Sequence, residues 1–315
     1  MMTIKEFLND IHKRARHKGS VIIGNVILHN DKKTVVERRP CPCIVLFQAL
    51  IENILNMLFR DFNEPTLRLV FEELAAVPSD VVDTLFETSF AAVTEGGRVV
   101  TWGNAKTGGD SSRVAKQVAS GVVEVVATQG AFAAVTEGGR VVTWGHTRYG
   151  GDSSAVDEEL ESGIVEVVAT DTAFAALKEG GRVVTWGTEL AGGDSSQVAA
   201  EMAGDVVVVV ATQLAFAALK ESGRVVTWGN EDYGGDSSGV AEQLASGVVK
   251  VVTTQNAFAA VTEGGRVVTW GYTRWGGDSS GVAEDLVSGV VKVETVSKNK
   301  FSALKDDGSV VEWGK

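Results

Sequence analysis

Residues Gly121–Ser162 read GVVEVVATQGAFAAVTEGGRVVTWGHTRYGGDSSAVDEELES, and this 42-residue text returns along the chain with few changes. Its phenylalanine recurs at Phe90, Phe132, Phe174, Phe216, Phe258 and Phe301, spaced by 42 residues four times and then by 43. A tryptophan follows each by 12 residues, at Trp102, Trp144, Trp186, Trp228, Trp270 and Trp313. Self-similarity at a fixed period marks a repeat architecture, in which each unit buries its apolar faces against its neighbours. These aromatic residues are the expected structural core of six units.

Within one unit, VVEVVAT, AFAAV and RVVTWG are short valine- and aromatic-rich runs bounded by turn residues, which predicts three strands. The EGG, ESG or DDG between the second and third runs predicts a glycine-bearing turn closing an antiparallel hairpin. After GGD, the fourth unit continues SSGVAEQLASG. There Ser237 or Ser238 can cap a short helix, Val240 and Leu244 share one face at i,i+4, and Gly247 ends it. An irregular loop with one outer strand is the alternative. The surplus of glycine, 36 residues against only 4 prolines, is thereby placed at the punctuation of the repeat.

The expected fold is all-β: a six-unit β-propeller of 42-residue repeats over residues 66–315, with a short helix or loop between blades. A small α+β extension of hairpin plus helix precedes it over residues 1–65. Val70–Ala75 matches Val240–Ala245 in pattern, while the sixth unit reaches Lys315 directly after Trp313-Gly314 without its own GGDSS. Residues 66–79 are therefore expected to close the ring, since closure removes exposed strand edges. A linear β-solenoid is the architectural alternative.

The G-R-V-V-T-W-G runs, such as Gly139–Gly145, and Asp307-Gly308-Ser309-Val310-Val311-Glu312-Trp313-Gly314 resemble the regulator of chromosome condensation repeat family, over about four-fifths of the chain. In that family a blade carries a DG.V..WG.N..GQLG pattern, and propellers usually number seven blades; here the GQLG is replaced by GGDS. The resemblance implies a propeller. It also implies two activities as alternatives, guanine-nucleotide exchange on a small GTPase and a substrate-binding module related to HECT ubiquitin ligases. The family's exchange activity relies on a wedge inserted in one blade, whereas every spacing here is 42 or 43.

Residues 1–77 hold 11 Lys+Arg and 9 Asp+Glu; residues 78–315 hold 18 and 32, so a slightly basic segment precedes an acidic repeat region. The net charge of −12 argues against a nucleic-acid partner, which needs clustered cations. Val21–Glu37 predicts a hairpin with Asn30–Lys33 in its turn, and Ile44–Phe59 and Leu67–Ala76 have helical apolar spacing. Cys43–Phe59 is broken by Gln48, Glu52 and Asn53 and falls short of a membrane span. Only two cysteines, Cys41 and Cys43, and a charged N-terminus predict a cytoplasmic protein. Lys13–Lys18 offers nuclear import as the alternative to a solvated helix face.

No enzyme, cofactor or metal site is expected. The repeated Asp-Ser-Ser, first at Asp110-Ser111-Ser112, has a single histidine, His146, within the repeats to serve as base, so a serine triad is unsupported. One aspartate per 42 residues is too sparse for repeated calcium turns. What does vary among copies is the four residues after each Trp-Gly: NAKT at 104–107, HTRY at 146–149, TELA at 188–191, NEDY at 230–233 and YTRW at 272–275. Loops on a rigid scaffold carry recognition, and arginine and aromatic side chains are enriched at interface hot spots. His146, Arg148, Tyr149, Tyr233, Tyr272, Arg274 and Trp275 are thus the candidate partner-binding residues of a monomeric, non-enzymatic scaffold. Units two and five share the aromatic-Thr-Arg-aromatic arrangement and would face each other across a six-membered ring. Neutral drift in an exposed loop is the bland alternative.

Overall fold

The computed structural model describes residues 20–23, 26–29, 36–37, 89–94 and 96–315. The segment expected to close the ring and the helices expected at Ile44–Phe59 and Leu67–Ala76 lie outside them. In the N-terminal extension, β1 (Ser20–Ile23), β2 (Val26–His29) and β3 (Val36–Glu37) form an antiparallel sheet. One hairpin was expected; three strands are found, because Gly24-Asn25 interrupts the apolar run Val21–Leu28 in the sequence.

The repeats fold as the sequence pattern demands. The first unit contributes β4 (Ser89–Val93) and β5 (Val99–Gly103), paired antiparallel. The second contributes β6 (Val122–Ala127), β7 (Ala131–Thr136) and β8 (Val141–Gly145), and the third β9 (Ile164–Ala169), β10 (Ala173–Lys178) and β11 (Val183–Gly187). The fourth has β12 (Val206–Ala211), β13 (Ala215–Lys220) and β14 (Val225–Gly229), and the fifth β15 (Val248–Thr253), β16 (Ala257–Thr262) and β17 (Val267–Gly271). The sixth ends the chain with β18 (Val290–Ser297), β19 (Lys300–Lys305) and β20 (Val310–Gly314).

Each of units two to six is its own antiparallel meander, with the second strand in the middle, and the described part of the first is a two-stranded hairpin. Every repeat ladder among the described residues is antiparallel and confined to one unit. A β-solenoid would instead pair equivalent strands of successive coils in parallel. The architecture is a six-unit β-propeller, with three-stranded blades in units two to six.

Both faces of a blade are buried, which is why its middle strand is apolar without alternation: Ala173 to Leu177 are all buried. The small alanines let neighbouring sheets approach, and the large residues fill the seams. One seam joins Val126, Ala131, Ala133, Val135 and Leu160 of the second unit to Ile164, Val167, Phe174 and Trp186 of the third. Phe174 lies directly opposite Trp186 on the paired strands, stacked at 5.2 Å and 19°, a geometry aromatic pairs favour.

Polar links of three kinds stitch the seams. The amide of Ile164 donates to the carbonyl of Gly139, in the hairpin turn of the preceding blade, at 2.9 Å. The indole of Trp186 donates to the carbonyl of Gly150, also in the preceding blade, at 3.0 Å, and the link recurs from Trp144 to Gly108, Trp228 to Gly192, Trp270 to Gly234 and Trp313 to Gly276. A third set runs through the turns between first and second strands: Gln129 donates its backbone N–H to Asp171, Asp171 to Gln213, Gln213 to Gln255 and Gln255 to Lys298, at 2.7–2.9 Å. These turns lie where successive blades converge, so the ladder holds the first strands side by side.

The linker between blades is mostly 3₁₀, with a single four-residue α-turn at Asp157–Leu160 (α1). In the fourth unit Ser238–Leu244 forms the 3₁₀ segment, Leu244 is buried, Val240 packs beside it and Gly247 adopts φ +71°, so the shared face and the glycine stop are as expected. The cap is not. Neither Ser237 nor Ser238 caps through its side chain; Asp236 Oδ1 accepts from the Ser238 amide at 2.8 Å, and Ser237 Oγ is bound to Thr227 Oγ1 at 2.9 Å. The shorter carboxylate turn wins because it satisfies the first amide while freeing serine to anchor the linker to the blade. Among the described residues no helix is long and apolar enough to cross a membrane.

Candidate functional site

After each Trp-Gly strand end the chain makes one 3₁₀ turn, at Ala105–Thr107, Thr147–Tyr149, Glu189–Ala191, Glu231–Tyr233 and Thr273–Trp275. Each turn is stopped by a left-handed glycine; Gly150, for example, has φ +90°. Gly150 is also the residue whose carbonyl receives Trp186, and a Cβ on it would lie 2.5 Å from Phe174 Cδ2. The rim turns are therefore fixed at their base by the seam, whatever side chains they carry.

The first residue of each variable stretch sets the turn's entry. Asn104 and Asn230 accept through Oδ1 from the amide two residues on, at 2.9 and 3.1 Å, and His146 does so through Nδ1 at 3.3 Å. Thr188 reaches sideways instead: its hydroxyl donates to the Arg148 carbonyl at 2.6 Å, joining the turns of adjacent blades.

The candidate residues fall into two groups. Tyr149 and Tyr233 are half-buried and lay their rings against the seams formed around Phe174 and Phe258. Arg148, Arg274 and Tyr272 are exposed. The aromatic pairs close within their own turns, His146 on Tyr149 at 4.8 Å and Tyr272 edge-on to Trp275 at 5.6 Å. Each arginine thus stands between two aromatic residues that already hold each other, on the outer side of a turn anchored from below.

A second variable set was hidden in the repeat pattern. The turns between first and second strands read Gln129-Gly130, Asp171-Thr172, Gln213-Leu214, Gln255-Asn256 and Lys298-Asn299. They share the rim with the 3₁₀ turns, since His146, Thr188, Asn230 and Tyr272 donate their amides to Gly130, Thr172, Leu214 and Asn256 at 2.8–3.0 Å. Gln129 Nε2 donates to Asp171 Oδ2 at 3.0 Å. Gly130 is required by its neighbour, for a Cβ there would lie 2.3 Å from Tyr149 Cδ2. The signal was present as two variable positions between Thr and Ala in units two to five, at 129–130, 171–172, 213–214 and 255–256.

The Asp-Ser-Ser copies are structural. Asp110, Asp152 and Asp278 each accept from the amide of the second serine, at 2.9–3.0 Å, and that hydrogen bond holds their carboxyls below the usual aspartate range. The first serine bonds the framework threonine, as Ser153 does Thr143 at 2.9 Å.

No protein-family model matches the chain, and no curated protein does. Solved structures similar to it include human WBSCR16, at 16% identity over 72% of this chain and 74% of that one, with a TM-score of 0.46. They also include Prp20p of Saccharomyces cerevisiae, the yeast RCC1, at 14% identity over 72% and 70%, with a TM-score of 0.42. The CRINKLY WD40 ectodomain of the Arabidopsis thaliana receptor kinase ACR4 follows at 14% over 72% and 76%, with a TM-score of 0.36. The propeller assignment stands on the chain's own ladders and seams.

Proposed function

We propose that the protein is a non-enzymatic scaffold that captures a protein partner through the rim turns of its propeller. One observation carries this: five turns share one backbone, each anchored beneath by the same glycine, while their outward side chains differ. Folding requires the turn and its glycine; it does not require an exposed arginine between aromatic residues at Arg148 and Arg274. Arginine and aromatic groups on rigid supports make strong contact at low entropic cost.

The test is capture by the full chain and by its Arg148→Ala, Arg274→Ala double variant, with thermal unfolding of both as the folding control. Loss of the captured partner with an unchanged melting temperature supports the proposal. An unchanged set of partners sinks it. Labelled-GDP release from a panel of small GTPases, run beside it, separates simple binding from exchange: acceleration by the wild-type chain would replace the scaffold with an exchange factor.

A further inference from the structure

The first strands of successive blades lie side by side, β6 beside β9, β9 beside β12, β12 beside β15 and β15 beside β18. Each carries a β-bulge near its start, where the register slips by one residue: between Val122 and Glu124, Val206 and Val208, Val248 and Lys250, and Val290 and Lys292, with the matching slip at Lys178 opposite β9. A bulge leaves one residue unpaired and turns its side chain away from the ladder. That residue is a valine in all five strands, and all five are exposed: Val123 59%, Val165 56%, Val207 45%, Val249 54% and Val291 62%. Nothing in the seams requires an apolar residue there.

The next residue along completes the pattern. Across the five strands it reads Glu124, Glu166, Val208, Lys250, Lys292. Two acids, an exposed valine and two bases thus form a row that changes sign about its midpoint. Glu124 and Glu166 already have interactions within the chain, and Lys292 is engaged with Glu294 at 2.5 Å in an exposed pair, the kind that contributes little and exchanges readily. A uniformly charged partner, whether polyanion or polycation, would match one end of the row and oppose the other. The same row turned end for end matches it throughout: Glu124 meets Lys292, Glu166 meets Lys250, and Val208 meets itself.

We propose that this row is a self-complementary interface, and that its occupant is a second copy of the chain related by a two-fold axis at Val208. In a two-fold pair, residue i meets j and j meets i, so four ion pairs flank a centre of paired valines. The apolar bulge residues supply the buried contact, and the charge order fixes which end meets which. This departs from the monomer expected on sequence and is independent of the rim turns.

Light scattering on the full chain tests it. Wild type at low salt is expected at twice the 33.2 kDa of one chain, shifting toward one chain's mass as salt screens the pairs. Glu124→Lys with Glu166→Lys makes every contact basic, and Lys250→Glu with Lys292→Glu makes every contact acidic. Each double variant alone is expected to be monomeric, and an equimolar mixture of the two to recover the dimer. The recovery also shows that both variants are folded. A monomeric wild type, a dimer indifferent to both reversals, or a mixture that stays monomeric would each overturn the proposal.

Discussion

The indole Nε1 of Trp186 donates to the carbonyl oxygen of Gly150, 36 residues earlier and one blade back, at 3.0 Å. The same glycine lies against the ring of Phe174, which stacks on Trp186. Three residues from two blades thus make one joint, and the joint recurs at each described seam. A side chain at Gly150 would have to displace an aromatic ring that is itself fully buried.

Gly150→Ala should therefore destabilise the chain by about 2–4 kcal/mol, from the left-handed backbone together with the clash. Gly138→Ala is the matched control: nothing lies within 4 Å of its Cβ position and its φ is not positive. It should be neutral or stabilising by about 0.5 kcal/mol. Urea unfolding midpoints of the two variants decide this, and equal midpoints would refute the joint.

Trp186→Phe retains a ring opposite Phe174 but leaves the buried Gly150 carbonyl without its donor. The expected cost is about 1–3 kcal/mol. Amide exchange at residues 183–187 and 150–151 should accelerate before exchange in the distant sixth blade. Uniform acceleration across all blades would show that the seam is not a local unit of stability.

Asp205 is the one residue other than glycine with positive φ among the described residues, at +64°. Its counterparts are Gly121, Gly163, Gly247 and Gly289, with φ of +70 to +76°. Asp205→Gly should stabilise the fourth blade by about 1 kcal/mol through relief of left-handed strain. A lowered melting temperature would mean that the carboxylate has a contact worth more than the strain.

The linker aspartates predict an acid response. Asp110, Asp152 and Asp278 have their carboxyls lowered from 3.8 first by the amide hydrogen bonds from Ser112, Ser154 and Ser280. A folded-state value below the unfolded one gives stability that is present above pH 3.8 and lost as pH falls through the lowered value. The triple Asp→Ala variant should melt below wild type at pH 7, and the gap should narrow as pH drops below 4. A gap that stays constant with pH would remove the carboxylates from the linker's stability.

The period, the strands and the turns were legible because each depends on local chemistry: valine runs, a glycine-bearing turn, a tryptophan at a fixed distance. The joint between Trp186 and Gly150 was not, because spacing alone does not say which neighbouring unit receives an indole. The expected serine cap failed for a related reason. Asp236 and Ser237 are both good cap formers, and the choice between them was made by Thr227, ten residues away across the blade. At the rim, the variation after Trp-Gly announced one set of turns. The turns at 129–130 and their counterparts escaped notice because two variable positions inside an otherwise constant strand pair look like noise until the backbone ladder joins them.

That ladder from Gln129 to Lys298 uses main-chain groups alone, and the Gly, Phe and Trp of the joint are the same at each seam. The framework by which a blade meets its neighbour is therefore common to all seams, and only side-chain contacts such as Gln129 Nε2 on Asp171 Oδ2 and the Thr188 hydroxyl on the Arg148 carbonyl are individual. The units are interchangeable cartridges: a 42-residue segment could be exchanged with another, carrying its rim turns to a new address without disturbing the seams on either side. Reordering the units would permute what the surface says while leaving the frame that displays it untouched.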